Sequence, residues 1–191
     1  MARWEPHARQ RLADAALELF AERGYEETTV LDIARRAGLA KSTFFRHFQD
    51  KRGVLFAEDA PAGPLVAAIA AAPAQAGPLD AVEYGLDALG RDVFTADRRP
   101  FTLRRRAVIE AHPDLREREA LKEAGLTAAM GRAIAGRGVP GLAARVTAEL
   151  GGLALKAAYE RWSDPAGTED FGDIARQTLD EIRSAVAEVR G

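Results

Sequence analysis

The sequence predicts an all-α protein, and three observations support this fold class. The 191 residues include 40 alanines but only 16 valines and isoleucines, which favours helix over sheet. Apolar residues recur at helical spacing through most of the chain, whereas the alternating pattern typical of strands is missing. Prolines and glycines divide the periodic segments into pieces of helix length. We therefore expect a bundle of helices.

Three short helices are predicted near the N-terminus. The first has an apolar stripe formed by Leu12, Ala16, Leu19 and Phe20. Gly24 is placed to end this helix. Thr29 is placed to cap the second, with Asp32 as its capping-box partner. Gly38 can adopt a positive φ at little cost, so it predicts a tight turn into a third helix over 41–48.

The rest of the chain is also predicted to be helical. Asp50 is placed to cap a fourth helix that begins at Lys51 and breaks at Pro61 to Pro64. A turn or partial helix is predicted at 65–72. Further helices are predicted at 79–95, 99–112, 114–136, 141–163 and 169–190. Thr168 is the predicted cap of the last helix.

Composition excludes several functional classes. Without cysteine the chain has no disulfide, thiolate nucleophile or cysteine zinc site. The three histidines are scattered, so no metal site is expected. Phosphate-binding glycine loops and nucleophile signatures are not recognisable. We therefore expect no cofactor and no enzymatic activity.

One uncharged stretch needs to be tested as a membrane span. Residues 60–79 lack charge over the length that a bilayer requires, but alanine dominates them and several prolines and glycines interrupt them. The first residues also lack the apolar region of a secretory signal. We expect a cytoplasmic protein without a membrane segment.

Charge is unevenly distributed along the chain. Residues 1–53 contain 10 basic and 8 acidic side chains, a net charge of +2. The remainder contains 17 basic and 21 acidic side chains, a net charge of −4. A basic N-terminal part on an acidic body indicates that only the N-terminal part meets a polyanion.

The predicted second and third helices, with the glycine turn between them, fit a helix-turn-helix. The segment TTVLDIARRAGLAKSTFFRHFQDK, residues 28–51, closely resembles the signature of the tetracycline-repressor (TetR) family. The preceding AALELFAERGY, residues 15–25, is similar to the first helix of that family. The resemblance covers residues 8–57.

The resemblance implies an all-α transcription regulator with two domains. Residues 1–50 would form the helix-turn-helix DNA-binding domain, and residues 51–191 a helical domain that binds a small molecule and dimerises. The partners implied are double-stranded DNA, an effector molecule and a second copy of the chain.

The resemblance also implies which residues meet DNA. Thr29 and Lys51 match positions that contact backbone phosphates. The exposed part of the recognition helix would comprise Lys41, Ser42, Thr43, Phe45, Arg46 and His47. Ala37, Phe44 and Phe48 match interior positions.

Two residues depart from the family pattern. Phe45 stands where the family usually has a tyrosine, so the hydroxyl contact to phosphate is lost, and the ring is left to meet a thymine methyl or a sugar. Leu31 stands where many members have a polar residue.

A second basic cluster, Arg104 to Arg106, is predicted to be a solvated, ion-paired helix face instead of a nucleic-acid site.

The body contains candidates for a ligand cavity between helices: Tyr84, Phe94, Phe101, Met130, Tyr159 and Trp162. For each of them, ordinary core packing is the competing interpretation. Two amphipathic segments, 142–162 and 171–189, are predicted to form a four-helix dimer interface.

The function predicted from these features is a ligand-responsive, dimeric repressor of a palindromic operator, with activation left open. One alternative is a small-molecule-binding or enzymatic helical protein with a vestigial DNA-binding head. Another is a nucleoid-type protein that binds DNA without sequence preference.

Overall fold

A computed structural model of the chain describes residues 7–56 and 62–189, and all the regular elements in these ranges are helical. The helices are α1 (Ala8–Arg23), α2 (Val30–Arg36), α3 (Lys41–His47), α4 (Lys51–Phe56), α5 (Ala62–Ala71), α6 (Pro78–Asp92), α7 (Arg99–Ala111), α8 (Pro113–Gly136), α9 (Gly141–Trp162) and α10 (Phe171–Val189). A 3₁₀ turn at Ala96–Arg98 precedes α7. The all-α prediction is confirmed.

The described residues group into two compact units. The first unit contains residues up to 56 together with 100–116, and the second contains 62–99 and 117–189. Contacts thus place α4 and most of α7 with the N-terminal helices, whereas the sequence-based division lies at residue 50. The domains 1–50 and 51–191 remain a prediction.

Side-chain caps begin α2 and α4, two of the short helices of the first unit. Thr29 and Asp32 form the predicted capping box at α2: the Asp32 amide donates to the Thr29 hydroxyl at 3.2 Å, and the Thr29 amide donates to the Asp32 carboxylate at 3.2 Å. Asp50 accepts a 2.7 Å bond from the Gly53 amide and so caps α4. Each cap satisfies amides that the helix leaves without a partner, which confirms both predictions.

The core of the first unit is built from the predicted stripe of α1 and the inner faces of α2, α3 and α4. Phe44 and Ile33 are completely buried there, beside Leu12 and Leu19 of α1. From α7 and the residues after it, Ile109 and Leu115 join the same cluster. The short helices are stabilised by this shared core, because helices of about seven residues are marginal by themselves.

The arginines on α7 do not form one solvated face, so that prediction is wrong for Arg105. Arg106 pairs with Glu110 at 2.6 Å, as the spacing predicts, and Arg104 is exposed. Arg105 is buried, donates to the Leu55 carbonyl, and lies with its guanidinium 5.3 Å from the Phe56 ring centre. Consecutive residues on a helix point about 100° apart, which lets one of the three turn inward.

In the second unit α5 is a full ten-residue helix, not the predicted partial one. Gly63 and Pro64 lie in its first turn, where proline removes no helical hydrogen bond. Pro61, at which the break was predicted, lies outside the described residues. Within the described ranges, no helix combines the length and apolarity of a bilayer span.

Arg137 caps the C-terminus of α5, although it follows Ile69 by 68 residues in the sequence. Its guanidinium donates to the carbonyls of Ile69 at 3.1 Å, Ala72 at 2.8 Å and Pro73 at 2.7 Å. These carbonyls lie at and just beyond the C-terminus of α5, where a helix lacks intrahelical donors and favours a cation. Arg137 therefore acts as a C-cap supplied by another part of the chain.

The start of α10 differs from the prediction that Thr168 caps it. The helix begins at Phe171, and the Ile174 amide donates to the Asp170 carbonyl at 3.2 Å, so Asp170 occupies the cap position. Phe171 packs in the core of the second unit and so fixes where the helix begins.

Helices α5 and α6 of the second unit approach closely at Gly85. A Cβ at this position would lie 2.7 Å from a Leu65 methyl and 2.8 Å from Ile69. Leu65 and Ile69 are fully buried. Only a hydrogen side chain permits this approach, so the glycine is required by packing.

Candidate nucleic-acid interface

The turn between α2 and α3 is closed by two hydrogen bonds. The Gly38 amide donates to the Arg35 carbonyl at 3.0 Å, and the Leu39 amide donates to the Ala34 carbonyl at 2.8 Å. Gly38 has a φ of +66°, a conformation that strongly favours glycine, and a Cβ there would lie close to the Arg11 guanidinium, at 3.1 Å. This turn sets α3 against α2.

Helix α3 divides its residues between the core and solvent. Phe44 and, just beyond the helix, Phe48 are buried in the core of the first unit. Lys41, Ser42, Phe45 and Arg46 are exposed, and Thr43 and His47 are half-buried. The exposed four form two pairs at i, i+4, which lie on adjacent faces of one helix. We call Lys41, Ser42, Phe45 and Arg46 the α3 face.

The two cations of the α3 face have no acidic partner among the described residues. By contrast, Arg36 on α2 is engaged by two carboxylates of α1, Glu18 at 3.2 Å and Glu22 at 2.6 Å. Cations on α3 that lack an acidic partner in the described part of the chain leave a positive potential where an anionic partner can bind.

Phe45 is the large apolar side chain of the α3 face, and 51% of it is exposed. Its ring meets that of Phe44 edge to face, with the centres 5.6 Å apart. The Lys41 ammonium lies 5.8 Å from the Phe45 ring centre. An aromatic side chain is therefore held in the middle of the polar surface.

The hydroxyl of Thr29, predicted to meet phosphate, is used by the cap of α2. It donates to the Asp32 carboxylate while accepting from the Asp32 amide. The hydrogen bonds that the hydroxyl and the amide of Thr29 donate to the Asp32 carboxylate hold its pKa below the ordinary value. A phosphate at Thr29 would have to replace the Asp32 carboxylate as acceptor.

Lys51 ties α4 to the loop between α1 and α2. Its ammonium donates to the carbonyls of Tyr25 at 2.7 Å and Glu26 at 3.0 Å, and lies 3.7 Å from the Glu26 carboxylate. It also lies 4.3 Å from the centre of the Tyr25 ring. This network explains a cation in the first turn of α4, where the helix dipole by itself disfavours one.

Tyr25 supplies a rigid surface for Lys51. Its ring packs against Phe20 and His112 with centre distances of 5.1 and 4.9 Å. Burial raises the pKa of the Tyr25 hydroxyl to about 12. The loop that holds Lys51 is thereby fixed to the core of the first unit.

His47 differs from the α3 face. Its ring lies 6.3 Å from that of Phe48, and its Nε2 is buried without a hydrogen-bond partner among the described residues. This nitrogen does not reach the surface in the present conformation, so a DNA contact through it would require the ring to turn.

The predicted ligand residues fall into two groups. Phe94, Tyr159 and Trp162 surround one another in the second unit, with the Phe94 ring centre 5.6 Å from Tyr159 and 5.5 Å from Trp162. Met130 is buried in the same core. Phe171 also joins this cluster, with its ring centre 4.4 Å from that of Phe94, although it is not among the predicted ligand residues. Its place in the apolar stripe of α10 is the sequence signal that it packs in this core.

Tyr84 and Phe101 do not join this aromatic cluster. Tyr84 is half-exposed on α6, and Phe101 packs against the core of the first unit. Periodicity does not reveal which of two cores a side chain enters, because both cores use the same helical spacing. Among the described residues, no grouping of acidic or histidine side chains could hold a metal ion.

The geometry of the first unit defines a helix-turn-helix protein with a basic, aromatic-bearing recognition helix. Residues 12–57 match the family profile described as bacterial regulatory proteins, tetR family. The uncharacterised HTH-type transcriptional regulator YvkB of Bacillus subtilis is 40% identical over 46 residues, which cover 24% of each chain. The chain thus spans about a quarter of the length of this curated relative.

Solved structures match much more of the chain. PfmR, a TetR-family regulator from Thermus thermophilus, is 27% identical with a TM-score of 0.53, covering 90% of this chain and 96% of PfmR. FadR of the same species, a repressor in complex with lauroyl-CoA, shares the fold at 23% identity and a TM-score of 0.50, covering 92% and 93%.

Residues 12–57 thus match the DNA-binding profile of the tetR family, and most of the chain is similar to solved TetR-family regulators. The curated relative and the two solved structures are each described as transcriptional regulators or repressors.

Proposed function

We propose that the protein binds a palindromic DNA operator as a homodimer and represses transcription until a small-molecule effector releases it. The observation that carries this proposal is the α3 face. Its two cations lack acidic partners among the described residues, and the buried Phe44 and Phe48 hold α3 against the core of the first unit. Arg46 is suited to guanine, and Lys41 to guanine or phosphate. This role would be carried out in the cytoplasm.

The remaining predicted contacts would position the protein on the phosphates. Ser42 and Thr43 carry hydroxyls that can donate to phosphate or base edges. Thr29, Lys51 and His47 are included in the proposed interface, although each requires a local exchange of partner or a ring movement. The affinity is then expected to depend mainly on the α3 face.

A dimer is supported by one face of α9. Leu142, Val146 and Leu153 are exposed there, at spacings of four and seven residues that place them in one line. The opposite face is buried through small residues, including Ala148, Gly151 and Ala154. An exposed line of large apolar side chains is typical of an interface. The variant Leu153→Glu should shift the chain toward monomer in light scattering, with Leu121→Glu on α8 as the control.

An effector site is supported by the aromatic cluster of the second unit. Phe94, Tyr159 and Trp162 offer apolar rings between helices, as small-molecule sites commonly do. The related FadR holds lauroyl-CoA. An effector would release the operator only through a higher affinity for the conformation that does not bind DNA.

Selection of duplexes from a random pool by the purified protein tests the DNA-binding proposal. We expect a preferred sequence with two-fold symmetry and an affinity that falls steeply with salt, with a slope of about 0.9 per phosphate neutralised. Salt dependence without a preferred site would favour a nucleoid-type protein. No binding at low salt would favour a vestigial head on a small-molecule-binding body.

Variants of the α3 face identify the contacts. Arg46→Ala should cost about 1–3 kcal/mol of binding free energy and relax the preference at one base pair. Lys41→Ala should act similarly, or uniformly on all sequences if it meets phosphate. Arg91→Ala, an exposed arginine of the second unit, is the control and should leave binding unchanged. Full binding by both α3 variants would refute the proposed interface.

A further inference from the structure

Phe45 is unusual because a large apolar ring occupies the centre of a polar surface. It is flanked at i−4 by Lys41 and at i+1 by Arg46, and both cations are exposed. Its neighbour Phe44 is completely buried, so at this point of α3 the core is filled by Phe44 and not by Phe45. About half of the Phe45 side chain, 51%, therefore stays uncovered in the free protein.

The ring is also restrained. Its edge-to-face contact with Phe44, at a centre distance of 5.6 Å, joins it to a side chain that cannot move without disturbing the core. Lys41 covers part of the ring from the preceding turn, at 5.8 Å. A restrained apolar surface loses little conformational entropy when a partner covers it.

A phenyl ring cannot exchange hydrogen bonds with base edges or phosphates. In the major groove, the apolar group that a base pair presents is the C5-methyl of thymine. We propose that Phe45 determines specificity by packing against a thymine methyl in each half-site, beside the base or phosphate that Lys41 contacts. This inference rests on the proposed DNA binding of the α3 face.

The competing partner for the ring is a deoxyribose, which every nucleotide carries. Contact with a sugar would add affinity at all sequences and would not depend on a methyl group. The two partners therefore predict different responses to the removal of one methyl from DNA.

The test uses the full-length protein and the duplex selected as its preferred site. Each thymine of one half-site is replaced in turn by deoxyuridine, which removes only the methyl, and the Kd is measured for each duplex. At one position we expect affinity to fall about fourfold, the effect of leaving one methyl group unburied. With Phe45→Ala, the same replacement should have no effect.

Ser42→Ala is the matched control, since it shortens another exposed side chain of α3. It should keep the fourfold effect of the methyl. Phe45→Ala removes a half-exposed side chain, so the protein should keep its helical circular dichroism and melt cooperatively.

The outcomes separate this inference from the proposed function. A site bound equally well with thymine and uracil, a site without thymine, or a methyl effect that persists in Phe45→Ala would overturn the inference while leaving DNA binding intact. Failure to bind any duplex would overturn both.

Discussion

The aromatic residues of the two units are used differently. In the second unit, Phe94, Trp162 and Phe171 all pack against one another, with Phe94 and Phe171 only 4.4 Å apart. In the first unit, the adjacent Phe44 and Phe45 are divided, one into the core and one into solvent. Of these two adjacent rings, that of Phe45 is the one that a partner can cover.

The strongest test of this comparison replaces each of the two adjacent rings by alanine. Phe44→Ala should lower the free energy of unfolding by about 3–5 kcal/mol, because it empties a fully buried site. Phe45→Ala should change it by less than about 1 kcal/mol. Urea unfolding of both variants measures the difference, and similar losses would show that the rings are not divided as described.

The close helix packing of the second unit is tested at two glycines. Gly85→Ala places a methyl 2.7 Å from Leu65 and should destabilise by about 1–3 kcal/mol. Gly125→Ala, on α8 with no atom within 4 Å of the new methyl, should stabilise by about 0.5–1 kcal/mol through helix propensity. Thermal melts of the two variants should therefore shift in opposite directions.

The network at Lys51 predicts a modest gain in DNA binding. Glu26→Gln removes the carboxylate 3.7 Å from the Lys51 ammonium and should raise DNA affinity about two- to fivefold, since that carboxylate competes with phosphate. Glu27→Gln removes a neighbouring exposed charge and is the control. An equal gain from both changes would point to general charge and not to Lys51.

The smallest effect concerns the pH dependence of the first unit. Hydrogen bonds from Arg36 hold the pKa of Glu22 below its ordinary value of 4.5. The pair therefore adds stability above that value and loses it as the pH falls through the lowered pKa. Glu22→Gln should unfold more easily than the parent at neutral pH and match it in strong acid, by denaturant unfolding across this range.

How much the sequence predicts depends on the span of each interaction. The caps at Thr29 and Asp50 were predicted because donor and acceptor lie three residues apart, within one turn. The inward turn of Arg105 toward Leu55 could not be predicted, since its partner is fifty residues away. The same limit applies to Phe101, which the sequence groups with aromatic residues of the second unit but which packs against the core of the first.

The site shows the same limit. The signature residues identify α3, and its buried and exposed positions follow from helical spacing. The contact of Lys51 with the carbonyls of the α1–α2 loop is tertiary, and residue type does not specify it. The capping box at Thr29 was predicted, but it occupies the hydroxyl that the family resemblance assigns to phosphate. Sequence thus predicts which residues lie exposed on α3 better than which polar groups are already engaged by other residues.

The cap that Arg137 provides for α5 has a consequence for synthesis. The carbonyls of Ile69, Ala72 and Pro73 accept from a side chain that follows them in the sequence by more than sixty residues. While the chain emerges from the ribosome, water must solvate these groups until Arg137 has been added. The end of this helix is therefore completed late, whatever the order in which its first turns form.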